Sequence, residues 1–71
     1  MKKYEYMMEI DRLRRIYENR DISTSICQLN ISDIIMRVWN DSKINGRDMA
    51  EILSHTNALF IEIAKRVKLY K

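Results

Sequence analysis

The sequence predicts an all-α protein, and three observations lead to this prediction. The 71 residues include no proline and a single glycine, Gly46, whereas a β-sheet domain needs turn residues about every eight to twelve positions. Apolar residues recur at steps of three and four positions, which is the period of an amphipathic helix. Polar clusters divide this pattern into three segments. We therefore expect three amphipathic helices, the last one long, assembled as a helical bundle in a homodimer, with residues 1–71 forming one domain.

The first helix is predicted over residues 3–19. Its apolar stripe, with steps of four, three and four positions, consists of Tyr6, Ile10, Leu13 and Tyr17. The string "ENRDISTS" that follows is rich in side chains that compete for backbone hydrogen bonds and therefore favour caps and turns. The first helix should end where this string begins.

The second helix is predicted over residues 25–40. Its stripe repeats the same steps with Cys27, Ile31, Ile34 and Val38. Its beginning is open, because the β-branched residues in 22–31 also fit a strand and because either Ser25 or Ser32 fits the N-cap. A lone strand would find no pairing partner elsewhere in this sequence, so the helix is favoured.

The third helix is predicted over residues 47–69, after the clearest loop of the chain, "NDSKINGRD". Within this loop Asn45 is the expected N-cap, with Asp48 three positions later. One series of inward-facing positions runs along the helix at steps of four and three: Met49, Leu53, Thr56, Phe60, Ile63 and Val67. Because this series stays in phase across "SHTN" (residues 54–57), one continuous helix is favoured over a corner there.

The sequence offers little for catalysis or for binding a metal or cofactor. Cys27 and His55 are the only cysteine and histidine, so neither a disulfide framework nor a zinc cluster can form. Gly46 stands alone, which excludes a glycine-rich phosphate-binding loop. His55 follows Glu51 by four residues but has no nucleophile near it in the sequence. We therefore expect no enzyme, no metal, no cofactor and no small-molecule substrate.

The formal net charge of +3 is compatible with nucleic-acid binding but does not require it. Positive charge gathers towards the two ends, at Arg12, Arg14, Arg15, Lys65, Arg66 and Lys68. The apolar runs are too short to cross a bilayer, and the first residues do not form a signal peptide. A lone thiol on an apolar stripe fits a reducing compartment. We therefore expect a soluble cytoplasmic protein with no membrane partner.

Docking on other proteins is the main functional hypothesis. The third helix is longer than the two shorter helices can cover, so part of its apolar stripe should stay exposed until another chain covers it. This exposed part is predicted to comprise Leu59, Phe60, Ile63 and Val67, with Trp39 as an anchor at the rim. The methionines Met7, Met8, Met36 and Met49 fit either an adaptable binding face or the core, and core filling is favoured. We expect a small adaptor or regulator that forms a homodimer and binds another protein, its basic ends attracting an acidic partner.

An alternative function follows from residues 46–68, which resemble the helix-turn-helix motif of DNA-binding regulators. Ala50 takes the small position of the first helix, Ser54 the corner, and Phe60 and Ile63 the inward positions of the recognition helix. The sequence departs from the motif at Ser54, where glycine is usual, and at His55, where an apolar residue is usual. The resemblance implies a small transcriptional regulator with nucleic-acid contacts at Thr56, Asn57, Lys65, Arg66 and Lys68.

Overall fold

The chain folds into helices throughout the part that the structure describes. The computed structural model describes the backbone of residues 2–69 and the side chains of residues 2–68. Its helices are α1 (Lys3–Glu18), α2 (Thr24–Asn40), α3 (Gly46–His55) and α4 (Asn57–Leu69). No strand occurs in this range, which confirms the predicted all-α class and shows that residues 24–31 are helical.

The helices form an up-down-up bundle in which α1 packs against all the others. The α2 helix runs antiparallel to α1: the Tyr6 hydroxyl, near the start of α1, donates to Asp41 Oδ2 after the end of α2 at 2.8 Å. The α3 and α4 helices together form a rod parallel to α1, joined to its start by Lys3 and Glu51 and to its end by Arg66 and Tyr17. The molecule measures 40 × 18 × 16 Å, so the rod sets its length.

One hydrophobic core connects all four helices. Its buried apolar members are Tyr6, Ile10, Leu13, Tyr17, Cys27, Ile31, Ile34, Val38, Ile44, Ile52, Leu59 and Ile63. Both four-residue stripes predicted for α1 and α2 are therefore confirmed. The two helices bury their stripes with the same steps of four, three and four positions, as expected for helices that share one seam.

The connection between α1 and α2 departs from the prediction in its cap. Ser23, rather than Ser25 or Ser32, is the N-cap of α2, and its hydroxyl accepts a hydrogen bond from the Ile26 amide at 3.2 Å. The α1 helix ends in a Schellman motif. In this motif Arg20 adopts a positive φ of 63°, a conformation that costs free energy for any residue with a side chain.

The predicted third helix is interrupted at Thr56, so the prediction of one unbroken helix is wrong at that residue. Asn45 caps α3 as predicted, accepting a hydrogen bond from the Asp48 amide at 2.8 Å. Thr56 keeps helical dihedral angles (φ −70°, ψ −18°), and its hydroxyl donates to the Leu53 carbonyl at 2.6 Å. A threonine hydroxyl that bonds to the preceding turn commonly bends a helix. The joint is therefore a local disturbance of the rod and contains no positive-φ corner.

The phase of the rod also differs from the prediction. Ile52 and Leu59 are fully buried, whereas Leu53, Phe60 and Val67 lie at least one third exposed. Thr56 and Ile63 belong to both series and are buried. The adjacent apolar pairs 52–53 and 59–60 let either series satisfy the helical period. The observed phase brings His55 and Arg66 onto α1, where both form hydrogen bonds that the predicted phase would lose.

Candidate docking surface

The outward side of α2 carries three large apolar residues and no charged residue. Leu29, Ser32, Met36 and Trp39 follow each other at steps of three, four and three positions, on the side of the helix opposite its buried stripe. We call these four residues the α2 outer face. Leu29 is 67 % exposed, Met36 61 % and Trp39 72 %. A helix that is apolar on both sides is normally covered on both sides.

The outward side of α1 is different, although α1 buries the same number of stripe residues. Half of the residues of α1 are charged: Lys3, Glu5, Glu9, Asp11, Arg12, Arg14, Arg15 and Glu18. In α2 only Asp33 and Arg37 are charged. The apolar surface of α2 is therefore not a general feature of these helices.

The rod carries a second exposed apolar row, formed by Leu53, Phe60 and Val67 at intervals of seven residues. We call it the rod row. Its residues are 38 %, 44 % and 43 % exposed. Asn57 and Ala64, which lie between them on the same side, are also exposed. Intervals of seven keep apolar side chains in line along a helix, as in the seam of a coiled coil.

The two apolar surfaces lie on the same side of the bundle. On the rod, His55 and Arg66 mark the flank that contacts α1, and the rod row lies on the opposite flank, towards α2. On α2, Arg37 marks the flank that contacts α1, and Trp39, two residues later, lies about 200° further round the helix. Trp39 therefore lies on the flank of α2 nearer the rod.

The charged residues of α2 are engaged at its border with α1. Arg37 donates to both carboxylate oxygens of Glu9, at 3.2 and 2.8 Å, and to Asp33 at 3.1 Å. The hydrogen bond to Glu9 is the main cause that raises the pKa of Arg37. This cluster joins the two helices and leaves the α2 outer face without a charge of its own.

Polar contacts between α1 and α3 also hold these two helices together. Lys3 Nζ lies 2.6 Å from Glu51 Oε2; this hydrogen bond raises the pKa of Lys3 and lowers that of Glu51. His55 Nε2 lies 2.9 Å from Asp11 Oδ1. Among residues 2–69, no three side chains of histidine, cysteine, aspartate or glutamate converge as a metal site would require.

The residues predicted to bind a protein partner fall into two groups. Trp39, Phe60 and Val67 are exposed, the first on the α2 outer face and the others on the rod row. Leu59 and Ile63 are buried in the core, so the prediction that they lie on an exposed surface is wrong. The reason is the phase of the rod, which turns these two side chains towards α1 and exposes their neighbours instead.

The residues predicted to contact nucleic acid are also divided. Thr56 is only 3 % exposed, and its hydroxyl is bonded to the backbone, so its predicted exposure is wrong. Arg66 Nη2 donates to the Tyr17 carbonyl at 2.7 Å while its guanidinium carbon lies 3.7 Å from the centre of the Tyr17 ring. Asn57, Lys65 and Lys68 are exposed. In the described part of the rod, these three residues are not accompanied by the positive-φ corner that is usual in a helix-turn-helix.

Sequence reasoning missed Leu29, Met36 and Leu53 as members of exposed apolar surfaces. Core filling, predicted for the methionines, is observed for Met7 and Met49, which pack against the core, and is wrong for Met8 and Met36. A signal was present for α2: Leu29, Met36 and Trp39 have helical spacing but are out of phase with the Cys27 stripe. Two apolar stripes on one helix predict two buried sides.

No helix in the described part of the chain combines the length and apolarity that crossing a bilayer requires. Comparisons of this chain with known protein families, with curated proteins and with solved structures found no match.

Proposed function

We propose that this protein is a small, non-enzymatic helical adaptor or regulator that works as a homodimer and docks on another protein. One observation carries the proposal: the side of the bundle formed by α2 and the rod exposes large apolar side chains along its length, whereas on α1 the exposed Tyr4 and Met8 near its start are outnumbered by charged residues. An apolar surface rimmed by polar groups is characteristic of a protein–protein interface.

The composition of the surface supports docking on protein. Trp39 is the only tryptophan of the chain and, among residues 2–68, the most exposed large apolar side chain. Tryptophan and other aromatic residues, such as Phe60, are enriched among the side chains that dominate binding energy at protein interfaces. A 71-residue chain can build only a small core. Large apolar side chains that stay in water add nothing to its stability, so their exposure is better explained by binding to a partner.

The basic end of α4 supports an acidic partner. Lys68 is exposed and directly follows Val67, at about 100° round the helix, so a partner seated on Phe60 and Val67 would meet its ammonium group. Charges at the edge of an apolar interface mainly raise the rate of association and restrict the choice of partner. An amphipathic helix with an acidic edge has this chemistry.

The DNA-binding alternative has weaker support. Of its five expected contacts, Thr56 is buried and Arg66 is engaged with Tyr17. A gel shift with double-stranded DNA at two salt concentrations tests it, because neutralising phosphates makes affinity fall steeply with salt. We expect no gel shift of the kind that is present at low salt and disappears at high salt.

The docking function is tested by site-specific photo-crosslinking in the cells that produce the protein. A photoreactive phenylalanine analogue replaces Phe60 on the rod row or, as the control, Met8 on the outward side of α1, which is 66 % exposed. We expect the Phe60 probe to give a discrete adduct with another protein, resistant to nuclease, and the Met8 probe to give none. Equal adducts from both positions, or an adduct removed by nuclease, would contradict the proposal.

A further inference from the structure

We propose that a second copy of this chain covers the α2 outer face, with the two α2 helices antiparallel across a twofold axis near Ile34. This inference rests on the proposed docking function and specifies the surface through which the homodimer forms. It assigns the α2 outer face to the second copy and leaves the rod row for the other protein.

The spacing of the α2 outer face, with steps of three, four and three positions, is the same in either direction along the helix. Positions 29 and 39, and likewise positions 32 and 36, lie at equal distances from position 34. In an antiparallel pair Leu29 therefore meets Trp39 of the second copy, and Ser32 meets its Met36. A twofold interface requires the same patch to be complementary to itself in this way. Pairing a small side chain with a large one also lets the helices approach closely.

The charges favour a second copy over a charged partner. The α2 outer face contains no charged residue, so a partner of either sign gains no attraction there. Two copies that each carry a formal charge of +3 repel least when they meet through an uncharged surface. At its edge Asp33 and Arg37 form an ion pair within one chain.

The exposed area predicts a weak dimer. If a large side chain exposes about 200 Å² when free, the fractions for Leu29, Met36 and Trp39 give on the order of 400 Å² per copy. Ile26, 46 % exposed at the start of the helix, extends this area. The total over both copies, on the order of 1,000 Å², lies at the low end of specific interfaces, where complexes are transient. We therefore expect dissociation in the micromolar range.

Sedimentation velocity tests the surface with a matched pair of variants. Wild type should be dimeric at about 100 µM and monomeric at about 1 µM. Met36→Lys places two lysines at the contact and should weaken dimerisation by at least about a hundredfold. Met8→Lys, at a methionine of similar exposure on α1, should leave the dimer unchanged. Circular dichroism confirms that both variants fold.

Disulfide trapping tests the orientation. Chains carrying Ser32→Cys and chains carrying Met36→Cys, both with Cys27→Ala, are mixed in equal amounts and mildly oxidised. Antiparallel pairing predicts that the mixed disulfide between positions 32 and 36 forms well beyond the excess over the same-position disulfides that random pairing of equal amounts already gives. Excess same-position disulfides, or equal sensitivity to the Met8 and Met36 lysine variants, would overturn the proposal.

The two proposals fail differently. A chain that stays monomeric at about 100 µM yet gives the Phe60 adduct with another protein overturns the α2 pairing and the homodimer, but supports docking on another protein through the rod row. A dimer lost in Met36→Lys, without a Phe60 adduct in cells, supports the pairing and contradicts docking on another protein through the rod row.

Discussion

The α1 and α2 helices solve the same packing problem and then diverge. Each buries four residues at steps of four, three and four positions, and each contacts the other along its length. On the outward side, α1 carries mainly charged residues beside Tyr4 and Met8, while α2 carries Leu29, Met36 and Trp39. The fold needs only the inward stripes. The outward side of α2 therefore reflects a requirement that the monomer does not impose, and we attribute that requirement to binding.

The strongest test of this comparison substitutes the two sides of one helix. Ile31→Ala removes a buried side chain and should lower the free energy of unfolding by about 2–4 kcal/mol. Leu29→Ala should change it by less than about 0.5 kcal/mol at concentrations where the chain is monomeric. Urea denaturation followed by circular dichroism measures both. On α1, Ile10→Ala and Met8→Ala should give the same contrast. A large loss from Leu29→Ala at low concentration would mean that the outward side stabilises the monomer.

The second test concerns the flank of the rod that contacts α1 through His55 and Arg66, in contrast to the apolar rod row. Arg66 donates to the Tyr17 carbonyl at the end of α1 and stacks on its ring, so Arg66→Met should cost about 1–2 kcal/mol of stability. Lysine is not an adequate substitute, because it lacks the planar guanidinium. Lys65→Met, one position away and exposed, is the control and should have little effect. Equal effects in denaturation would contradict the role assigned to Arg66.

The inward stripes of α1 and α2 could be predicted because each helix offers one long series of apolar residues towards the core. The inward side of the rod could not be predicted in this way, because the pairs Ile52–Leu53 and Leu59–Phe60 allow two alternative series of inward-facing residues. Contacts between helices decided between them: His55 reaches Asp11 and Arg66 reaches Tyr17 only in the observed phase. Such long-range contacts are not visible in local spacing.

The candidate site was predicted only in part for the same reason. The exposure of Trp39, Phe60 and Val67 was predicted correctly, whereas Leu59 and Ile63 are buried because the observed phase of the rod differs from the predicted one. Leu29 and Met36 were not predicted to be exposed together, because the stripe of Cys27, Ile31, Ile34 and Val38 already accounts for the helical period of α2. The interruption at Thr56 depends on a side-chain hydrogen bond to the Leu53 carbonyl. The presence of a threonine in a helical pattern does not predict that bond.

A smaller effect is expected where α1 and α2 end differently. The α1 helix is closed by Arg20 in a left-handed conformation, whereas Asp41, which ends α2, is extended. Arg20→Gly removes the steric cost of the left-handed conformation, and part of this gain is lost because glycine is more flexible in the unfolded chain. We expect a net stabilisation of about 0.5–1 kcal/mol. Arg20→Ala, which keeps the strain, is the control and should not stabilise.

The last prediction concerns stability at alkaline pH and leaves stability at neutral pH unchanged. It rests on two ionisable groups, Tyr6 in the inward stripe of α1 and Cys27 in that of α2. Burial raises the pKa of the Cys27 thiol above its ordinary value of 9.0, and burial, with the hydrogen bond to Asp41, raises that of Tyr6 above 10.0. The unfolded chain therefore releases these protons at lower pH than the folded chain. The resulting contribution to stability is complete below pH 9.0 and is lost as pH rises through the folded pKa values.

Denaturation at a series of pH values from neutral to alkaline measures this effect. We expect Cys27→Ala to flatten the part of the decline that begins near pH 9.0, and Tyr6→Phe to flatten the part that begins near pH 10.0. Both substitutions also change packing, so the slopes with pH are compared rather than the stabilities at one pH. An unchanged slope in Cys27→Ala would mean that the thiol already ionises in the folded chain as it does in the unfolded one. The inward side of α2 would then be open to solvent, and the contrast between its two sides would fail at the residue where the stripe begins.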